Sequence, residues 1–319
     1  MRRRELAFLP CLAAPVPAWA QAYPTQPIRW VVPYPPGFTT NISRIIGDDM
    51  AQRLGQPMVY ENRSGATGVL GSDHVAKARP DGYTLVMATQ ASHAVLPHLM
   101  PSFPYDPLRD FVPVGTMAIF PNVLVVRPEL GVRDLAELLA LARSRPAGLT
   151  YGSSGNGSSI HMVTEALAMA TGTRLVHAPY RGATPAQTDL IAGHLDLMID
   201  NLPNAMALIQ AGRLLALASA TEERIPQLSE VPTFKELGLP SVVMEAWIGL
   251  MAPAGTPRAH VARLNGELNN SLGKAEVISR LLGSGAVPIL GTPEEFSTRL
   301  AVDLARFQDF LPRARIRLD

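Results

Sequence analysis

The feature that most constrains the fold of this chain is an order of predicted elements that occurs twice. Strand, loop, helix, strand, a Gly-Ala-Thr sequence, helix, glycine-containing turn and strand follow one another in residues 28–88 and again in residues 149–199. The Gly-Ala-Thr sequence stands at 65–67 in the first unit and at 182–184 in the second. Alternating strands and helices are typical of α/β layers over mostly parallel sheets. Two related units predict two lobes whose strands end at a shared crevice.

Short β-type runs and the amphipathic segments between them define the predicted elements. Strands are predicted at 28–32, 58–60, 84–88, 149–152, 174–177, 195–199 and 287–290. Helices are predicted at 41–54, 71–78, 132–144, 160–170, 185–192, 256–272 and 293–311. We expect Thr256 to cap the helix predicted at 256–272, with Pro257 at its first helical position. Thr292 should cap the helix predicted at 293–311, with Glu295 completing a capping box.

Two long β-type runs without a helical pattern, 111–126 and 242–252, are expected to carry the chain from one lobe to the other and back. This interpretation assigns residues 23–122 and 246–319 to lobe 1 and residues 123–245 to lobe 2. A chain that crosses twice in this way predicts hinge closure around a small ligand.

The first 22 residues have the pattern of a secretory signal, with a basic start at Arg2, a short proline-broken apolar stretch and small residues at Ala20 and Ala22. We expect cleavage near Ala22, with Ala20 as the alternative. The sequence does not distinguish between the possible export routes. The only cysteine, Cys11, lies inside this segment, so the mature chain would have no disulfide and no thiol nucleophile. An exported chain without disulfides predicts the periplasm of a Gram-negative bacterium. Without its basic start the chain is near neutral, which argues against nucleic-acid or anionic-lipid partners.

The first predicted strand runs into a proline-stiffened loop, Pro-Tyr-Pro-Pro-Gly-Phe-Thr-Thr at 33–40, and then into a helix. Gly37 allows close backbone approach, while Thr39, Thr40 and Asn41 are predicted to cap the helix. Unpaired N–H groups and the positive end of the helix dipole favour an anion at such a position. The alternative is an ordinary strand-to-helix connection with a good cap.

A second loop, YGSSGNGSSIH at 151–161, also leads into a predicted helix. A nucleophile elbow would require glycine where Asn156 stands, and neither the lysine of a phosphate-binding loop nor the spacing of a dinucleotide loop is present. We therefore expect a binding protein and not an enzyme. A carboxylate held between the two helix starts would receive hydrogen bonds from N–H and hydroxyl groups without any arginine.

Two titratable residues follow predicted strands and are candidates for the crevice. His93 follows the strand at 84–88, although a histidine packed at a helix start is an equal alternative. Asp200 follows the strand at 195–199 and would either bind a ligand amine or cap a neighbouring helix. The histidines show no zinc-ligand spacing, so we expect no metal and no cofactor.

Eight motifs in order along the chain together resemble the Bug family, the TctC-like periplasmic solute-binding proteins of tripartite tricarboxylate transporters. They are Tyr23-Pro24, Pro35-Pro36-Gly37, Glu61-Asn62-Arg63, Pro80-Asp81-Gly82, Pro104-Tyr105-Asp106-Pro107, Gly155-Asn156-Gly157-Ser158, Pro179-Tyr180-Arg181-Gly182 and Ala252-Pro253-Ala254-Gly255-Thr256-Pro257.

The resemblance implies an α/β, bilobed type II periplasmic-binding-protein fold, with two lobes joined by two crossing strands, that closes on a small carboxylated molecule. It implies delivery of the ligand to a membrane permease, and we expect a monomer. Presentation of the closed form to a sensor kinase is the alternative, because the same fold and cleft would serve either role. The ligand-binding residues that it implies are Tyr34, Gly37, Phe38, Thr39, Thr40, Thr89, Ser92, His93, Ser153, Ser154, Asn156, Gly157, Ser158 and Asp200.

The chain departs from the family pattern at two positions of the first loop. Phe38 stands where the family usually has a second glycine, and Asn41 stands where it usually has an aspartate. Loss of the acid weakens the case for an amine-bearing ligand. The phenyl ring either occludes the cleft or favours a monocarboxylate, an aromatic carboxylate or a dicarboxylate ring compound.

Overall fold

The structure is a computed structural model that describes residues 23–314 and residue 316. The predicted secretory signal lies outside the described residues. None of the helices in the described range is long and apolar enough to cross a bilayer.

The strands and helices alternate through most of the chain. The strands are β1 (Ile28–Val32), β2 (Met58–Asn62), β3 (Thr84–Thr89), β4 (Phe111–Phe120), β5 (Asn122–Val126), β6 (Leu149–Ser153), β7 (Leu175–Pro179), β8 (Leu197–Asn201), β9 (Leu215–Ser219), β10 (Ala246–Pro253) and β11 (Val287–Pro288). The helices are α1 (Phe38–Leu54), α2 (Val69–Ala76), α3 (Leu96–Leu99), α4 (Leu135–Ser144), α5 (Ser159–Thr171), α6 (Ala183–Ala192), α7 (Leu202–Gln210), α8 (Arg258–Leu272), α9 (Ala275–Gly283) and α10 (Pro293–Arg313).

Two separate sheets confirm the bilobed α/β fold. The strand order is β11-β4-β10-β3-β1-β2 in the first sheet and β7-β6-β8-β5-β9 in the second. In the first sheet β1 pairs in parallel with β2 and β3, and in the second β6 pairs in parallel with β7 and β8. The three parallel strands of each lobe therefore end on the same side, where ligands gather in open α/β sheets.

The burial of β1 shows why these short apolar runs form central strands. Ile28, Trp30, Val31 and Val32 are all fully buried, on both faces of the sheet, because helices cover each side. Burying a large apolar side chain contributes about 1.5–3 kcal/mol, so these few residues stabilise the sheet strongly.

The chain passes between the sheets at two places. It leaves the first sheet at Pro121, between β4 and β5, and returns to it at the start of β10. Asn122 joins the two crossings, because its Nδ2 donates to the Met244 carbonyl at 2.8 Å while its Oδ1 accepts from Asn201 at 2.7 Å. The lobe boundaries expected from sequence stay a prediction, and these crossing points lie beside them.

Helix starts were predicted with mixed success. The capping box at Thr292 and Glu295 is confirmed, and α10 begins at Pro293. The prediction for Thr256 was wrong: α8 begins at Arg258, and the Thr256 hydroxyl donates to the Pro253 carbonyl within a turn. The sequence patterns also missed α7, β9 and α9.

Candidate ligand-binding site

A cleft of about 1070 Å³ lies between the two lobes. It is lined by the segments that follow β1, β2 and β3 in lobe 1, those that follow β6, β7 and β8 in lobe 2, and residues of the crossings. The lining residues are Pro33, Tyr34, Pro35, Phe38, Thr39, Ser64, Gly65, Thr67, Gly68, Thr89, Gln90, Ala91, Phe120, Ser154, Ser158, Ser159, Arg181, Gly182, Asn201, Pro203, Asn204, Ala246, Trp247 and Ile248.

Helix α1 begins at the cleft with Gly37 as its N-cap. Its first intrahelical hydrogen bond runs from the Asn41 N–H to the Gly37 carbonyl, so the N–H groups of residues 38–40 have no bond within the helix. No side chain of the described residues caps this end, which corrects the expected capping by Thr39, Thr40 and Asn41. The helix starts three residues earlier than predicted, and its first-turn donors stay available for an anion.

The Thr40 side chain supports the proline loop from behind. Its Oγ1 accepts from Asn62 Nδ2 at 2.8 Å, and the same amide donates to the Tyr34 carbonyl at 2.8 Å. Thr40 is buried and neither it nor Gly37 lines the cleft. The residues of this loop that do line it are Pro33, Tyr34, Pro35, Phe38 and Thr39.

A chain of hydrogen bonds runs from the cleft wall into the core of lobe 1. The Tyr34 hydroxyl lies 2.9 Å from Thr89 Oγ1, which lies 2.9 Å from Ser92 Oγ, which in turn lies 2.9 Å from His93 Nδ1. Tyr34 and Thr89 line the cleft, whereas Ser92 and His93 are fully buried. Ser92 therefore supports Thr89 from the core side.

The expectation that His93 faces the crevice was wrong. After β3 the chain enters a π-helical turn, Ala91–Val95, which directs the imidazole into a pocket between Tyr105 and Phe111. Burial there lowers the pKa of His93 to about 3, so the ring is neutral at physiological pH.

The loop after β6 provides the lobe 2 wall. Ser154 and Ser158 line the cleft, and the Ser158 hydroxyl also caps α5 by accepting from the His161 N–H. Of the other residues predicted here, Ser153 and Gly157 are buried, and Asn156 lies outside the lining.

Two stacked histidines hold the lobe 2 loop in place. The rings of His161 and His177 are 3.9 Å apart between centroids and nearly parallel. His161 Nδ1 accepts from the Gly157 N–H at 3.2 Å, and His177 Nε2 lies 2.6 Å from Ser153 Oγ. Burial lowers the pKa of His161 to about 3 and that of His177 to about 4, and the neighbouring His177 lowers the pKa of His161 further. Both rings are therefore neutral at physiological pH. A neutral His161 is also what its Nδ1 needs in order to accept the hydrogen bond from Gly157.

Asp200 does not reach the cleft, which corrects its expected place at the ligand. Strand β8 continues two residues beyond the predicted end, so Asp200 lies within the strand and is fully buried. Its carboxylate accepts from Gln187 Nε2 at 2.6 Å and from the Asn201 N–H at 2.8 Å. Burial raises the pKa of Asp200 to about 6 despite these bonds. Asn204 Nδ2 of α7 also donates to it at 3.2 Å, so Asp200 links β8 to α6 and α7.

One wall of the cleft is aromatic. Phe38 is 37% exposed and packs edge-on against Phe120, with ring centroids 5.4 Å apart. Trp247 and Ile248 of β10 extend this apolar surface. The Phe38 ring thus lies along the wall and leaves the cleft open, so the structure does not support the alternative in which the ring occludes it.

The sequence patterns missed several lining residues, and Arg181 is the most consequential. It is the only charged residue among the described residues that line the cleft. The repeat in the sequence could have indicated that Arg181 lies at the cleft. It places the next residue, Gly182 of lobe 2, at the position of Gly65 in lobe 1, and both glycines line the cleft. The described part of the chain contains no group of three or more His, Cys, Asp or Glu side chains placed to hold a metal ion.

Comparison with known proteins assigns the family. The sequence model of the tripartite tricarboxylate transporter family receptor, TctC, matches residues 42–306. The chain belongs to the TctC receptor family. The family resemblance seen in the sequence is thereby confirmed.

Relatives of this TctC-family chain include Bug proteins and solved structures. Protein BugT of Bordetella pertussis is 37% identical over 93% of this chain and 91% of its own length. The structure of Rpa4515 from R. palustris with adipate has 36% identity and a TM-score of 0.84 over 92% of this chain and 99% of that one. MatC from Rhodopseudomonas palustris with bound malate has 32% identity and a TM-score of 0.79 over 91% of this chain and 100% of that one. This TctC-family protein thus shares its fold with proteins that bind carboxylates.

Proposed function

We propose that this chain is a periplasmic solute-binding receptor that captures a small carboxylate with an apolar body. The observation that carries the proposal is the start of α1, where unpaired N–H groups meet a cleft whose described lining contains no acidic residue. Helix N-termini attract carboxylates through both the dipole and these donors. The adipate and malate complexes of relatives support the same ligand chemistry.

The wall formed by Phe38, Phe120 and Ile248 supports an apolar or aromatic ligand body beside the carboxylate. We expect thermal-shift measurements on a panel of aliphatic and aromatic carboxylates, amino acids and neutral sugars to show stabilisation by carboxylates with an apolar body. Saturation at one hundred times Kd adds about 2.7 kcal/mol to the free energy of unfolding. Stabilisation only by small polar acids or amino acids would contradict the apolar body, and a panel without any stabilising carboxylate would contradict the function.

We infer binding and not catalysis, because no residue of the described lining is a nucleophile bonded to a base: Ser153 and Ser92, which lie against His177 and His93, are buried and outside the lining. The ligand should be recovered chemically unchanged after prolonged incubation. We propose delivery to a tripartite permease, which membership of the family supports, and copurification of the ligand-bound protein with a permease tests it. Capture of a histidine kinase instead would support the sensor alternative.

Trp247 should report ligand binding by its fluorescence. Trp247 is one of the lining residues, while its ring is buried against Phe296 of α10 and its Nε1 donates to Asp303 of α10 at 2.6 Å, so a lobe movement that shifts β10 against α10 alters its surroundings. The other tryptophan of the described range, Trp30, is fully buried in β1 and lies outside the lining. We expect ligand to change the emission of the native protein and not that of Trp247→Phe. An unchanged native spectrum at saturation would contradict a hinge at β10.

A further inference from the structure

Arg181 is distinguished from the other cleft residues by its charge and by its lack of a partner. Its side chain is exposed, and the described residues offer it no ion pair and no hydrogen bond. The next residue, Gly182, is the N-cap of α6, a helix of 10 residues, and no described side chain caps it. A cation and an uncapped helix start thus face the same side of the cleft.

The position of Arg181 in the sheet places it at the mouth of the cleft. It follows β7, the edge strand of the second sheet, which is separated from the crossing strand β5 by β6 and β8. In the first sheet β2 is the edge strand, separated from β10 by β1 and β3. The loops after β2 and β7 therefore form the two outer edges of the cleft, which we call its lips. They lie farthest from the hinge, where closure moves them most.

The matching loop of lobe 1 shows that an arginine at a lip is not always available to a ligand. Arg63 follows β2, and its Nε lies 2.9 Å from Glu61 Oε2, so that charge is paired within its own lobe. The Arg63 side chain also lies outside the cleft lining, unlike Arg181. The two lips are therefore electrically different, and only the lip of lobe 2 presents an unpaired cation.

We propose that Arg181 is a specificity-determining residue that binds a second acid group of the ligand when the lobes close. This inference rests on the proposed function. The first carboxylate binds at the start of α1 in lobe 1, and the second binds Arg181 in lobe 2, so that one molecule bridges both lobes. A monocarboxylate leaves the guanidinium without a partner in a closing cleft, which is unfavourable because desolvating an unpaired charge is costly.

The test uses acids that differ only in the second carboxylate. Adipate is paired with hexanoate, and benzene-1,4-dicarboxylate with 4-methylbenzoate, and the affinity of each is measured by isothermal titration calorimetry. We expect at least one diacid to bind about 10- to 100-fold more tightly than its partner, as a charge-assisted pair provides. Arg181→Gln should abolish that difference by weakening the diacid, while the monoacid binds the variant at least as tightly as it binds the native protein because no unpaired charge is left to desolvate.

Arg213→Gln is the matched control, because it removes an exposed arginine of lobe 2 outside the cleft lining and should leave all affinities unchanged. Arg181→Lys should retain only part of the preference, since an ammonium group lacks the two-pronged geometry of the guanidinium. Equal binding of diacids and monoacids by the native protein, or an Arg181→Gln variant that keeps the preference, overturns the inference while the proposed function stands. Failure of every carboxylate to bind overturns the proposed function itself.

Discussion

Replacing Thr39 by aspartate is expected to abolish carboxylate binding without destabilising the protein. The new side chain lies in the first turn of α1, where a negative charge is favoured by the helix dipole by about 0.3–1 kcal/mol. The same charge competes for the free N–H groups and repels the ligand carboxylate. Two like charges about 4 Å apart near a protein surface repel by about 4 kcal/mol, so we expect at least about a hundredfold loss of affinity.

The matched control for this experiment is Thr39→Asn, which has nearly the same shape and no charge. Calorimetric titration with the tightest acid of the panel should show a weak effect for asparagine and a severe one for aspartate, while urea unfolding shows native-like stability for both. If the aspartate variant binds as tightly as the native protein, the carboxylate does not bind at the start of α1.

The second large effect is a loss of stability in mild acid. The pKa of His93 and of His161 is lowered to about 3 in the folded protein, against about 6.5 in the unfolded chain, and burial is the main cause for each. Between these values the unfolded chain binds protons that the folded protein excludes, so stability falls as the pH falls below about 6.5. Each ring lowers the free energy of unfolding by about 1.36 kcal/mol for every pH unit below about 6.5, so the loss at pH 5 is about 2 kcal/mol for each ring.

Asp200 acts in the opposite direction, because its pKa is raised to about 6 by burial. The folded protein takes up a proton at this carboxyl at a pH where the unfolded chain does not. This uptake raises the free energy of unfolding at pH 5 by about 1 kcal/mol. Burial also raises the pKa of Glu165 and of Glu245, which adds to this offset. His177, whose pKa is lowered to about 4, adds a smaller amount to the loss because its ring is only half-buried, so we expect a net loss of about 3–4 kcal/mol in the free energy of unfolding between pH 8 and pH 5.

Urea unfolding at the two pH values measures this loss. His93→Asn removes one of the buried rings, so it should lower stability at pH 8 but reduce the difference between pH 8 and pH 5. His194→Gln, which replaces an exposed ring, serves as the control. A native protein that is as stable at pH 5 as at pH 8 would show that these rings are not held neutral by burial.

The stacked pair also connects this pH effect to the binding loop. Protonation would place two positive charges on rings 3.9 Å apart and would remove the acceptor that His161 offers to the Gly157 N–H. In the folded protein this protonation begins only as the pH approaches the pKa values of about 4 for His177 and about 3 for His161, so acid loosens the loop that carries Ser154 and Ser158 at a lower pH than the one at which stability starts to fall. Ligand affinity should therefore decline below about pH 4 and not between about pH 6.5 and pH 5.

Much of the fold could be predicted from the sequence because its periodicity is strong where burial is complete. The strands that became β1, β3 and β6 were predicted almost residue by residue, since short apolar runs buried on both faces have few alternatives. The region 202–219 was missed because α7 and β9 have weak turn signals and short lengths. The strand β8 was placed two residues too early, and that small shift changed the interpretation of Asp200 from a cleft residue to a buried one.

The candidate site was predicted at the level of loops and less well at the level of side chains. The loops after β1, β3 and β6 do line the cleft, and six of the residues expected there do so: Tyr34, Phe38, Thr39, Thr89, Ser154 and Ser158. Their roles in binding stay predictions. Several of the other candidates hold the lining residues in place from behind, as Thr40 and Ser92 do.

The sequence by itself determined the class of fold, the two-lobed organisation and the segments that face the cleft. It did so because parallel strands must end on one side of a sheet, whatever packs around them. Only the tertiary structure decided which side chains of those segments face the ligand. Thr89 faces the cleft and His93 faces the core because a π-helical turn intervenes, and Arg63 is paired while Arg181 is not because a glutamate lies beside only one of them. The pocket that holds His93 is formed by Tyr105 and Phe111, which lie farther along the chain, and whether an arginine has an acidic side chain within reach depends on how the folded backbone places both, so local pattern encodes neither choice.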